Sequence, residues 1–406
     1  MKRPFLSFLV LVVAPSAVAI ILAVAVAGAA WADLDRTSHG RVAAMVLAAL
    51  DQELARSAAE AVQGALPAPD PDPQDPAVRR ALSGDTITGY RASAGALEVV
   101  VVLAGMDSVI RTGTAPVQST FVDRVSRATG YATSIYVRGT RWTGSARTPG
   151  PERLGQDTLL MLDGGGLAVY GGFLSAGPAP AASPPPLAVL VASSRPPQQA
   201  VARPVLLVMG LLLLFSALAG WILLARREDA GDVAPRTSMV LLAMVPTLAT
   251  AGLLSHIDRS YADAAWRAAS RDLTRGLAVA SALDAVGSPR VVRILTGFHA
   301  ARVSGGGVES STFDVDGTAG LATLPAPPPS FTSAGRVDTP EGPSAYVGLR
   351  LREGGFTVVT TPYPAGARTG LRQRLGLVGG LLLLWMLGVA GMILAGPSRA
   401  PPRLSS

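Results

Sequence analysis

Hydrophobic positions along the chain fall into two patterns: long uninterrupted runs, and short stripes set among prolines and charges. A bilayer core of about 30 Å needs roughly 20 apolar residues at 1.5 Å each. Four runs reach that scale, residues 4–32, 204–225, 237–255 and 375–396, and none holds an Asp, Glu, Lys or Arg. One Arg at the centre of a spanning helix costs about 2.5–3.5 kcal/mol on insertion scales, so charge-free runs of this length predict four transmembrane helices. Two long polar segments, 33–203 and 256–374, lie between them, with a short connector at 226–236 and a tail at 397–406. "AWAD" at 30–33 has the small residues that a signal peptidase cuts after. The run before it, however, far exceeds the 7–15 apolar residues of a signal core. An uncleaved anchor is expected; cleavage would leave three spans.

Within the polar segments the periodicity changes. Val46, Leu50 and Leu54 recur at i+4, and Leu273, Leu277 and Ala280 make a weaker stripe, so each segment should open with a long helix. "PAPDPDPQDPAV" (67–78) reads as a loop, because its prolines remove donors and fix φ. "ALEVVVVLAG" (96–105) reads as a buried strand, "FVDRVSRATG" (121–130) as a short helix, and "YATSIYVRG" (131–139) as a strand. A glycine-turned hairpin over 157–175 and a closing strand in "PLAVLVASS" complete the pattern. The predicted class is α+β: four transmembrane helices and two tandem external domains, each a long leading helix plus a mixed antiparallel sheet.

Landmarks in the two segments recur in one order. "LDRTSHGRVAAM" from Leu34 matches "IDRSYADAAWRA" from Ile257, and "VRGT" (137–140) matches "VDGT" (315–318). "GLAVYGGFL" (166–174) resembles "SAYVGLRL" (344–351). "LAVLVASSRPPQQAVARPVLLV" from Leu187 resembles "GFTVVTTPYPAGARTGLRQRLGLV" from Gly355. The expectation is a span–domain–span unit built twice. The VRGT match sets Asp314 opposite Tyr136 and Leu321 opposite Thr143.

The stretch "FVDRVSRATGYATSIYVRGTRWTGS" (121–145) resembles the extracytoplasmic PAS-like sensor domains of the Cache type, found on bacterial membrane-bound sensor histidine kinases and chemoreceptors. The resemblance covers roughly 110–200 well and 290–368 loosely. It implies a sheet cupping a small-molecule ligand, a leading helix that forms a homodimer, and a last strand that passes movement into the next span. Carried over, it makes Tyr136, Arg141, Trp142 and Tyr170 the candidate ligand-binding residues. An adjacent Arg and Trp on a strand face opposite ways unless a bulge intervenes. Trp142 packs in the core with Arg141 solvated, or the Arg141 guanidinium holds a ligand carboxylate in a bidentate pair, or the two pack near the membrane. His39, His256 and His299 lie outside any phosphoacceptor context, so an output domain is missing and the signal must pass to a separate histidine kinase or other transducer.

Charge sets the orientation. Lys2 and Arg3, and Arg226, Arg227 and Arg236 of the connector, place those segments in the cytoplasm and the two long segments in the periplasm or outside a bacterial inner membrane. Arg368, Arg372 and Arg374 pull the other way. Only 16% of the 406 residues are charged, against about 25% in soluble proteins, which again points to lipid. The net charge of +7 forms no basic cluster, so nucleic acid is not an expected partner. With no cysteine, disulfides, thiol catalysis and Cys-based zinc sites are excluded.

"DGGG" (163–166) lacks a phosphate-loop context, and "DPDPQD" (70–75) reads as a solvated linker rather than a cation site. The histidines have no nucleophile elbow beside them. No catalytic residue, metal or cofactor is expected, and the reading is not an enzyme. It is a signal-input protein, or alternatively a non-catalytic assembly subunit of an envelope complex whose external domains bind protein or polymer.

Overall fold

The computed structural model describes residues 9–93, 96–137, 140–144, 152, 167–170, 187–192, 210, 218, 234–313, 318–328, 332–363 and 365–395. The described α-helices are α1 (Ala14–Gln63), α2 (Pro76–Leu82), α3 (Thr120–Thr129), α4 (Ala234–Ala282), α5 (Pro289–Thr296), α6 (Ala319–Ala322) and α7 (Ala365–Ala395), with a π-helical turn at Leu9–Val13 leading into α1. The chain divides into two compact units. One comprises Met1–Leu34, Pro197–Trp266 and Pro364–Ser406, and the other Asp35–Pro196 and Arg267–Tyr363.

The first unit is helical. Ile20, Ala23 and Ala27 of α1 pack against Leu253, Ile257 and Tyr261 of α4 and Leu371 and Leu375 of α7. Nearer the N-terminus, Val12 and Ala19 meet Leu382, Met386 and Val389. The opposite faces carry bare apolar side chains, among them Ile21, Leu248, Leu377, Leu381 and Leu384. Among the described residues, two helices are long and apolar enough to cross a bilayer, α1 and the Arg368–Gly391 stretch of α7. Of the other two predicted runs, 237–255 forms part of α4, and 204–225 lies outside the described residues apart from Gly210 and Leu218.

The second unit is α+β, as expected, and every described strand pair in it is antiparallel. Its C-terminal part is a five-stranded sheet of β9 (His299–Ser304), β10 (Gly307–Ser311), β11 (Thr332–Thr339), β12 (Gly342–Arg350) and β13 (Phe356–Pro362), ordered β10-β9-β13-β12-β11. Its N-terminal part holds two sheets rather than the single one expected. One contains β5 (Ala132–Val137), β6 (Thr140–Gly144), β7 (Leu167–Tyr170) and β8 (Leu187–Ala192), ordered β6-β5-β8-β7. The other contains β1 (Leu66–Pro67), β2 (Ile87–Ser93), β3 (Ala96–Ala104) and β4 (Ile110–Pro116), ordered β1-β4-β3-β2.

The β5–β8 and β9–β13 sheets follow one plan. In each, a short helix feeds a strand that makes a hairpin outward and pairs on its other side with the last strand. The helix ends are built alike. Gly130 and Gly297 both take φ 71°, the left-handed conformation that ends a helix at little cost in glycine. Their N–H groups reach the carbonyls of Ser126 and Arg293. Thr129 Oγ1 donates to Val125 O at 2.9 Å and accepts from Tyr131 N–H at 3.3 Å. Thr296 Oγ1 donates to Val292 O at 2.7 Å and accepts from Phe298 N–H at 3.1 Å.

The same spacing that carries Tyr131 onto Phe298 carries β5 onto β9 and β6 onto β10. It also carries one β-bulge onto another. Trp142 is the extra residue in the first hairpin, and Glu309 in the second. This register corrects the sequence match. "VRGT" runs from the end of β5 to the start of β6, with 138–139 outside the described residues, whereas "VDGT" follows β10, with 315–317 outside them too. Val303, not Asp314, stands opposite Tyr136.

The β1–β4 sheet has no described counterpart in the second half, where α4 ends at Ala282 and α5 starts at Pro289. β3, expected as a buried strand, is buried on one face and alternates. Leu97, Val99 and Val101 face the core, while Glu98, Val100 and Val102 are half-exposed. That is the pattern of a sheet with one packed face. Those three side chains join Val46 and Leu50 of α1, Phe121 and Val125 of α3, Ile135 of β5 and Val189 and Val191 of β8 in one core. Burying each such side chain contributes roughly 1.5–3 kcal/mol. The predicted 157–175 hairpin lies outside the described residues except for β7.

Candidate functional site

Tyr136 sits on β5 opposite Ala188 of β8 and Arg141 of β6, and its side chain is fully buried. Burial pushes its phenol up, against the nearby Arg141 charge and a hydrogen bond with Ser134. The bulge at Trp142 breaks the strict alternation that would send Arg141 and Trp142 to opposite faces. Trp142 packs half-buried against the core, and its buried Nε1 has no hydrogen-bond partner among the described residues. Arg141 is half-buried, and its backbone N–H donates to Glu152 O at 2.9 Å. Tyr170 ends β7 opposite Val189, and its side chain is not among those described. The fold therefore makes Tyr136 and Arg141 cross-strand neighbours, with Trp142 turned onto the core beside them.

A second cluster escaped the sequence reading. Asp272, within α4, has a carboxylate only 1% exposed. Its Oδ1 accepts from Ser38 Oγ at 2.6 Å and from Arg275 Nη1 at 3.1 Å, and its Oδ2 from Arg41 Nη1 at 3.3 Å. Ser38 and Arg41 belong to α1, so one buried carboxylate ties the leading helix of the first half to that of the second.

Both arginines extend to the capped corners. The Arg275 guanidinium lies over the Tyr131 ring at 4.7 Å, and Arg41 lies 6.0 Å from the Phe298 ring, within reach of cation–π attraction. His39 stands edge-on to Tyr131 at 5.1 Å, its Nδ1 2.6 Å from the Asp35 carbonyl. Burial pushes the Asp35 carboxyl up, with His39 and Arg271 pulling it back. Gly276, one turn beyond Asp272, allows the close approach. A methyl there would meet Thr296 Cγ2 at 3.1 Å and the Phe298 ring at 3.3 Å. One signal was present in the sequence. Ala265, Ala269, Asp272, Gly276 and Val279 repeat at four-three-four-three, which sets a carboxylate on the buried stripe of a helix.

In the first unit, Asp258 is gripped twice. Arg368 donates through Nε at 3.2 Å and Nη2 at 2.9 Å, and Arg372 through Nε at 3.0 Å and Nη2 at 2.9 Å. Two bidentate guanidiniums on one carboxylate are a strong arrangement. Arg368 first, and Arg372 after it, hold the Asp258 carboxyl down at about 2 despite its partial burial. Two of the three arginines that conflicted with the charge-based orientation are thus partnered by an acid on α4.

Among the described residues no group of three His, Asp or Glu side chains could hold a metal ion. No family model matches the chain, and no curated protein or solved structure matches it.

Proposed function

We propose that the protein is a signal-input protein of a bacterial inner membrane, anchored by four helices, with a duplicated PAS/Cache-like external region that biases a separate transducer by moving those helices. The observation that carries the reading is the Asp272 joint. A sensor must convert a change in its sheets into a change between helices, and a ligand shifts such an equilibrium only through differential contacts with its two states. Here Arg41 and Arg275 touch the aromatic corner of each sheet and the one carboxylate that joins the two leading helices. The repeated corner and bulge support an origin by duplication. The bare apolar side chains of α1 and α7 support a lipid environment.

One observation favours the assembly reading. At one end of the β1–β4 sheet an open hollow of about 310 Å³ is lined by Pro71, Pro73, Val78, Leu82 and Ile110, and Leu82 with Leu66 and Met106 is largely exposed. Exposed apolar ground of this kind serves protein partners as well as small molecules. The deciding experiment is affinity purification of the tagged full chain in mild detergent, with mass spectrometry of its companions. A kinase, cyclase or chemotaxis transducer supports signal input. A permease, synthase or wall enzyme in its place overturns it and leaves the assembly role.

A further inference from the structure

Arg374 stands at the head of the apolar stretch of α7, exposed and, among the described residues, without an ion-pair or hydrogen-bond partner. Its neighbours differ, since Arg368 and Arg372 both close on Asp258. Below Arg374, Leu377, Leu381 and Leu384 are 69%, 68% and 68% exposed. At 3.6 residues per turn these three return to within about 80° of Arg374, so all four share one face. The packed side of the helix, carrying Leu371, Leu375, Leu382 and Met386, points elsewhere. At 1.5 Å per residue, Arg374 to Leu384 covers about 15 Å, half of a 30 Å bilayer core and so one leaflet.

A cation placed one leaflet's depth above a bare leucine stripe complements an amphiphile of opposite charge. We propose that this face of α7 holds an anionic phospholipid, its phosphate on the Arg374 guanidinium and an acyl chain along Leu377, Leu381 and Leu384. The proposal rests on the membrane reading above. Apolar area supplies contact for any lipid, and Arg374 supplies the choice among headgroups. One Arg near a membrane surface contributes a preference of about five-fold for an anionic headgroup.

The test uses the full chain in detergent, titrated with palmitoyl-oleoyl phosphatidylglycerol or phosphatidylcholine and read by native mass spectrometry. The expected result is a phosphatidylglycerol preference of about five-fold, lost in Arg374→Gln and kept in Arg259→Gln, which removes another exposed arginine of the same unit. Equal binding of the two lipids by the natural chain would overturn the proposal. So would a preference that survives Arg374→Gln, one that Arg259→Gln weakens equally, or one abolished by equimolar inorganic phosphate. Flotation with phosphatidylcholine liposomes separates the two levels. A chain that floats without headgroup preference refutes this site alone, whereas one that never floats refutes the membrane reading with it.

Discussion

Removing the carboxylate of Asp272 should loosen the joint between α1 and α4 by a calculable amount. Asp272→Ala strands its partners unequally. Arg41, 35% exposed, can turn to water, while Arg275 is only 14% exposed and has little solvent to reach. Deleting one member of a buried pair costs about 3–5 kcal/mol. The lower end applies, because Arg275 keeps the Tyr131 ring beneath it. A loss of about 3 kcal/mol in a unit of this size lowers Tm by roughly 6–12 °C.

The assay is thermal unfolding of the full chain in detergent, followed by far-ultraviolet circular dichroism. Asp51→Ala, at an exposed position of α1, is the control and should stay within about 0.5 kcal/mol. Adding Arg275→Leu to Asp272→Ala should restore about 1–3 kcal/mol, the usual coupling of touching charges. If Asp272→Ala melts within a degree of the natural chain, the carboxylate does not hold the helices together and the proposed relay loses its link.

Asp258→Asn should cost about 1–2 kcal/mol near neutral pH, discounted for the exposure of Arg372. The folded value, about 2, lies below the ordinary 3.8, so the contribution is complete above about pH 4 and disappears as pH falls toward 2. Melting curves of the two proteins should therefore differ by a constant amount from pH 5 to 8 and converge in acid. Gly113→Ala drives a methyl into the Ala61 carbonyl of α1, backbone that cannot give way. A loss of about 1–3 kcal/mol is expected, read as a lower urea midpoint. Thr129→Val and Thr296→Val each remove a hydroxyl that both donates and accepts at its corner. Each should cost about 1–2 kcal/mol, and markedly unequal shifts in Tm would mean that the two corners are not equivalent.

The elements legible in the sequence are those whose signals are local. The α3 helix ends where Thr-Gly says it must, and β5, β8 and the long leading helices follow from apolar periodicity. β2 and β4 were missed because "ITGYRAS" and "IRTGTAP" carry glycine at mid-strand and little apolar alternation. Gly113 is there for the close approach of β4 to α1, a tertiary need that no local pattern announces. Four valines in a row concealed the one-faced burial of β3.

The candidate site was legible in part. Tyr136 and Arg141 meet across a hairpin that sequence alone does not pair residue by residue, and which way Trp142 turns depends on a bulge that sequence spacing cannot place. Asp272 was hidden because its three partners are contributed by two helices, two of them from α1. "VRGT" and "VDGT" misled for a simpler reason: a shared turn composition is not a shared place in the fold.

The grip of Arg41 on Phe298 and of Arg275 on Tyr131 is an exchange, since each half's leading helix attends to the other half's corner. Neither half is self-sufficient while that trade stands. Lifting either half out, or grafting it onto another anchor, would leave an aromatic uncovered and a guanidinium unmatched. A change at one corner is thereby felt by a helix encoded far away in the chain.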